Sequence, residues 1–199
     1  MTPVDITGIR NITISGRIAS GTTTLAHNLA KKLQWEVLEG GEMFRKFHEE
    51  HLNDKSELAV SKRPDKVDLE YEEMVKNKLK NESHHIIQSH LAGFDAQGID
   101  GIFKILVTCE DPNGEDKLDI RIDRLVNRKG IHVDDAKHEV GEREKSNLEK
   151  WRRMYADGDQ NWVYWDPKYY DLIVNTYSHN PEESLSLVLA SLPAGPLIF

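Results

Sequence analysis

Between Asn11 and Thr24 the chain reads NITISGRIASGTTT, and no other stretch restricts its fold as much. The β-branched run Ile12, Thr13, Ile14 leads into Ser15-Gly16, as a strand that ends in a glycine would. Arg17, Ile18, Ala19 and Ser20 separate Gly16 from Gly21, and Thr22, Thr23 and Thr24 follow. Leu25, Ala26, Leu29, Ala30 and Leu33 then fall at helical spacing. Strand, glycine-bounded loop and helix start in that order are the context of a phosphate-binding loop. The glycines let backbone amides approach an anion, and the positive end of the helix adds to the attraction. Such loops usually carry lysine after the second glycine. Here Thr22 holds that place, and Arg17 is a candidate for supplying the missing charge. Thr23 occupies the hydroxyl position suited to Mg²⁺. The plainer description is a glycine-rich strand–helix turn with no ligand.

The remaining pattern alternates strands with helices. Short strands are expected at Trp35–Leu38, His85–Gln88, Phe103–Cys109 and Tyr170–Asn175. Helices are expected at Glu42–His51, Asp65–Lys80, Asp116–Arg128 and Val133–Tyr155, with Pro181 opening a last one. Val67, Tyr71, Met74, Val75 and Leu79 form the apolar face of the second of these. Alternation of this kind implies a parallel sheet covered on both faces, in a single domain of 199 residues. A net charge of −8 argues against a nucleic-acid polymer or an anionic membrane as partner. The single cysteine, Cys109, lies in an apolar run and reads as a buried thiol. The start, MTPVDITG, has no basic or apolar leader pattern, and Pro193 and Pro196 break the apolar C-terminus, so a cytoplasmic protein is expected. His48 and His51 flank Glu49-Glu50 at a spacing that fits no metal-ligand motif.

Four motifs, in order, resemble those of the nucleoside monophosphate kinases, and of archaeal-type cytidylate kinases in particular. They are the loop itself, Gly41-Glu42-Met43-Phe44-Arg45, the arginine run Asp119–Arg128, and Arg143-Glu144 followed by Tyr170–Thr176. The resemblance extends from about Asn11 to Thr176. It implies an α/β P-loop NTPase fold with a five-stranded parallel sheet and helices on both faces. The core would comprise residues 10–40, 84–110 and 168–192, with a helical acceptor-binding insert at about 41–83 and a lid at about 114–156. It further implies ATP-dependent phosphorylation of a nucleoside monophosphate, CMP or dCMP by preference, with Mg²⁺ as cofactor. Gly16, Arg17, Ile18, Ala19, Ser20, Gly21, Thr22, Thr23 and Thr24 would then bind ATP, and Thr23 the metal. Gly41, Arg45, His90 and Gly93 would bind the acceptor. Arg124, Arg128 and Arg143 would offset charge in the transition state.

Phosphoryl transfer between two nucleotides joins two polyanions, which explains why such a family needs convergent cations. Arg124 and Arg128 lie four apart on the expected helix, and Arg121 is nearly in line with Arg128. One face could thus present up to three guanidiniums to a cleft, or a solvated basic face partly paired with Asp119 and Asp123. The segment Gln88–Phe94 departs from the family's E-G-R-L-A-G-W. Gln88 replaces an acid, Ser89 a glycine and His90 an arginine, and Asn147 stands where relatives carry an acid. Those departures leave open a weak or inactive nucleotide-binding sensor, or a kinase of a non-nucleotide acceptor. Trp151, Trp162, Trp165, Tyr155, Tyr164, Tyr169 and Tyr170 are expected to pack the lid helices against the sheet.

Overall fold

The computed structural model describes residues 2–42, 44 and 64–193. Five strands, β1 (Asn11–Gly16), β2 (Glu36–Glu39), β3 (His85–Gln88), β4 (Ile102–Thr108) and β5 (Leu172–Asn175), form one sheet in the order β2-β3-β1-β4-β5. Every pairing is parallel, with Ile12 opposite Ile86 on one side and Phe103 on the other. Parallel strands need crossovers, and helices supply them. These are α1 (Thr22–Leu33), α2 (Asp65–Asn81), α3 (Ala92–Asp95), α4 (Leu118–Lys129), α5 (Val133–His138), α6 (Glu144–Tyr155) and α7 (Pro181–Ser191).

Strand alternation sorts the core into two layers. Ile86 joins Ile12, Ile14, Ile105 and Val174 against α1 and α7, whereas its neighbour Ile87 faces the opposite way, onto Tyr71, Val75 and Leu79 of α2. With both sheet faces covered, every residue of β1 is buried, the polar Asn11, Thr13 and Ser15 included. Among the described residues no helix is long and apolar enough to cross a membrane.

Several expected boundaries move for identifiable reasons. Trp35 precedes β2 rather than starting it, because its side chain turns inward and its indole donates to Val4 O at 2.9 Å. The expected strand at Tyr170 begins two residues later, since Tyr170 closes a short 3₁₀ turn over Pro167–Tyr169. The long helix expected over Val133–Tyr155 is continuous but not uniform. A π-helical turn, Glu139–Arg143, joins α5 to α6 and re-aims Arg143 relative to a regular helix. Most of the helix expected at Glu42–His51, including Arg45, lies outside the described residues.

Candidate active site

The loop between β1 and α1 is built for an anion. Gly21 holds φ +110°, and Ala19 sits at φ +61°, so the chain doubles back tightly before the helix begins. A Cβ on Gly16 would fall 2.5 Å from Val107 O and 2.6 Å from Ser20 Oγ, which leaves room for glycine alone. Helix α1 has no side-chain N-cap and no acid in its first turn. The amides of Thr22, Thr23 and Thr24 thus open the helix with no intrahelical acceptor and no competing carboxylate.

That helix start faces a cleft of about 390 Å³ beyond the C-terminal ends of β1, β2 and β3. Arg17, Ile18, Ala19, Gly21, Thr22 and Thr23 line it from the loop, and Gly40 and Gly41 from the end of β2. Cations close the other side: Arg128 and Lys129 at the end of α4, and Arg143 in the π-helical turn. Glu139 holds two of them, at 2.9 Å from Arg143 Nη1 and 3.0 Å from Lys129 Nζ. Arg128 is exposed and lies on both this cleft and a second hollow.

Arg121 does not join these cations. It is fully buried, and its guanidinium donates to Ile18 O at 2.8 Å, Asp116 at 2.8 Å and Glu144 at 2.9 Å. Its partners are therefore Asp116 and Glu144 rather than Asp119 and Asp123. The same Glu144 takes Arg17 through a close ion pair and accepts from the Ile18 amide at 3.2 Å. One carboxylate thus fastens α6, α4 and the phosphate loop together. Burial disfavours the charge on Glu144, but the Arg121 and Arg17 guanidiniums outweigh it and hold the carboxyl below its ordinary range. Arg17, tied also to Asp116 at 3.2 Å and lying 4.7 Å from the Trp165 ring centre, is anchored at the cleft edge.

Other expected residues separate. Arg124 bridges the loop to the end of β5, donating to Thr176 Oγ1 and Thr176 O at 2.8 Å each. With Thr24, Asn127 and Tyr177 it lines a second hollow of about 710 Å³, not the main cleft. Gly93 is also absent from the cleft lining. Its amide donates to Ser15 Oγ at 2.9 Å, and a side chain there would collide with the Tyr170 ring. Gly16, Ser20 and Thr24 shape the loop from outside the lining, and Ser20 is fully buried.

A family model described as cytidylate kinase-like matches residues 11–178, most of the chain. The chain belongs to the cytidylate kinase-like family. A cytidylate kinase of Methanopyrus kandleri is 30% identical, over 91% of this chain and 92% of that one. One from Haloarcula marismortui is 32% identical, over 89% and 86%. Among solved structures, a gluconokinase from Sinorhizobium meliloti superposes with a TM-score of 0.57 at 12% identity, covering 92% of this chain and 90% of that one. That likeness speaks to the P-loop kinase fold alone.

Within this cytidylate kinase-like frame the departures from the family pattern meet one another. Gln88 Nε2 donates to Thr22 Oγ1 at 3.1 Å, so the residue in place of the acid holds the residue in place of the lysine. His90 lines the cleft, yet its Nδ1 donates to Gly16 O at 2.9 Å, and its ring packs against Trp151 and Tyr164. It braces the phosphate loop from below, which an arginine fork would do differently. The expected aromatic packing is found here: Leu91, Trp151 and Tyr164 form a buried cluster with Trp162, Trp165 and Tyr155 around it.

Sequence reasoning missed the far end of the cleft. The buried stripe of α2 contains Asp68 and Glu72 beside Tyr71, Val75 and Leu79, while Val67 and Met74 are only half-buried. Asp68 is ion-paired with Lys150, and Glu72 accepts from the Tyr155 hydroxyl. The signal was present, since Asp68, Tyr71, Glu72, Val75 and Leu79 share one helical stripe. Charged residues are simply presumed exposed.

Proposed function

We propose that this protein transfers the γ-phosphoryl group of ATP to a nucleoside monophosphate, with CMP or dCMP preferred. The observation that carries the reading is the opposition, across one cleft, of an uncapped helix start and the cations Arg128, Lys129 and Arg143. Two polyanions can be held between such walls, and little else is required of the protein for a loose phosphoryl-transfer transition state. The family match and the cytidylate kinases of comparable length support the acceptor class.

In this reading the amides of the loop and of Thr22, Thr23 and Thr24 hold the donor phosphates. Arg143 and Arg128 compensate charge on the transferred group, and Arg124 secures the loop against β5 from the side of the second hollow. Residues 41–83 form the acceptor-binding insert and residues 114–156 the lid, which excludes water once both nucleotides are bound. Arg45, beyond the described residues, keeps its proposed role on the acceptor phosphate. Among the described residues no group of three or more His, Cys, Asp or Glu could hold a metal ion. Mg²⁺ keeps several waters and is bound in part by substrate phosphates. The Thr23 hydroxyl would complete its shell, and the ion would neutralise phosphate charge.

A coupled assay of ADP formation, run across the common nucleoside monophosphates with an acceptor-free control, tests the reading. Acceptor-dependent turnover with CMP or dCMP is the expected result. ATP binding without turnover on any monophosphate would replace it with the sensor, and turnover on a sugar or other small acceptor alone with the third alternative.

A further inference from the structure

Asp95 closes the far end of the cleft, and nothing in the chemistry above uses it. It ends α3, is 4% exposed, and both of its carboxyl oxygens lack a hydrogen-bond partner. Three more buried polar atoms of the cleft lining also lack a hydrogen-bond partner: Ser89 Oγ, Asn147 Oδ1 and Trp151 Nε1. Native proteins rarely leave one buried polar group unmatched, and four residues around a single cavity mark a surface shaped for a polar ligand. Phe44 and Tyr71, with ring centres 4.6 Å apart, line the same space and offer an aromatic wall.

We propose that Asp95 reads the base of the acceptor nucleotide, presenting a carboxyl O–H donor and a C=O acceptor to N3 and the N4 amino group of cytosine. This rests on the nucleoside monophosphate kinase reading and names a residue that holds the base of its substrate. An ionised carboxylate offers acceptors only and would oppose the N3 lone pair, so the proton is part of the recognition. Burial and the neighbouring Glu72 carboxylate push Asp95 up to about 7, against a smaller opposing pull from Lys76. The groups facing it are Glu72 and Lys76 of α2, Tyr155 of α6, and Tyr170 ahead of β5. Lys76 Nζ is 3.6 Å from Asp95 Oδ1, too long for a good hydrogen bond. Both tyrosines are held protonated, their hydroxyls pushed far up by burial. Asp68 and Glu72, on the same wall, favour a base edge that carries an amino group over one that carries a carbonyl oxygen, hence CMP over UMP.

The test measures CMP and UMP affinity by calorimetry, and transfer from ATP by initial rates, between pH 6.5 and 8.5. This window lies above the acceptor phosphate's own titration near about 6. Wild-type affinity for CMP should fall with rising pH, approaching tenfold per unit above about 7. Asp95→Asn, whose amide keeps a donor and an acceptor and does not titrate, should flatten that slope. Asp95→Leu should lose about 10- to 100-fold in kcat/KM for CMP, with ATP affinity retained. Wild-type slope persisting in Asp95→Asn, or an unchanged kcat/KM for CMP in Asp95→Leu, would overturn the assignment while leaving the kinase intact. Binding of CMP that follows this pattern without transfer would instead uphold the base site and sink the kinase reading.

Discussion

Gly21 shows how narrowly the loop is specified. Its φ of +110° is closed to a β-branched residue, and a Cβ there would stand 3.2 Å from Thr176 Cγ2. Gly21→Val should therefore abolish ATP binding in calorimetry, because the amides can no longer converge on the phosphates. Circular dichroism should still report a folded chain, since the loop is at the surface of an intact sheet. Unchanged ATP affinity would show that the loop holds no phosphate. Single residues were also where sequence reading was least able to see. Asp95 is one acid in a glycine-bearing segment, with no spacing to distinguish it from a solvated loop residue. The partnership of Thr22 with Gln88 joins positions 66 apart, beyond the reach of any local pattern.

Secondary-structure elements were far more legible. β3 is found at His85–Gln88, as its apolar run indicates, and α1 begins at Thr22, where the second glycine releases it. The arginine helix was legible as a helix but not as a device. Spacing aligns Arg121 with Arg128, yet the deciding partner of Arg121 is Glu144, on another helix. Asp116, counted into that helix from sequence, stays outside it because it pairs with Arg17 and Arg121. Glu144 now carries a prediction. Removing one member of a buried charge cluster leaves the others uncompensated, so Glu144→Gln should cost about 3–5 kcal/mol in denaturant unfolding. The Glu144 carboxyl titrates lower folded than unfolded. Its stabilisation is thus whole above the unfolded value near 4.5 and is lost as pH falls below it. Melting temperature should consequently drop more steeply from pH 5 to 3 in the wild type than in Glu144→Gln. Parallel pH profiles would mean the cluster contributes no linkage.

Taken as a whole, the molecule keeps opposite characters at the two ends of one cleft, despite a net charge of −8. Loop amides and Arg128, Lys129 and Arg143 gather where phosphates would lie, and buried carboxyls gather where a base would lie. Alternating strands and helices were enough to expect the parallel sheet, and the motif order was enough to expect the family. What the chain could not reveal was which cations turn toward the cleft, since that depends on long-range partners. Arg143 is the sharpest case. Its charge is shared with Glu139, which Lys129 also holds, so removing it should leave the fold in place. The decisive measurement is the single-turnover rate of phosphoryl transfer from ATP to CMP by Arg143→Met, with both nucleotides saturating. A fall of about 10²–10³, with ATP and CMP affinities within a few-fold of wild type, is the predicted result. An unchanged rate would contradict the placement of the transferred phosphate between the loop and the lid.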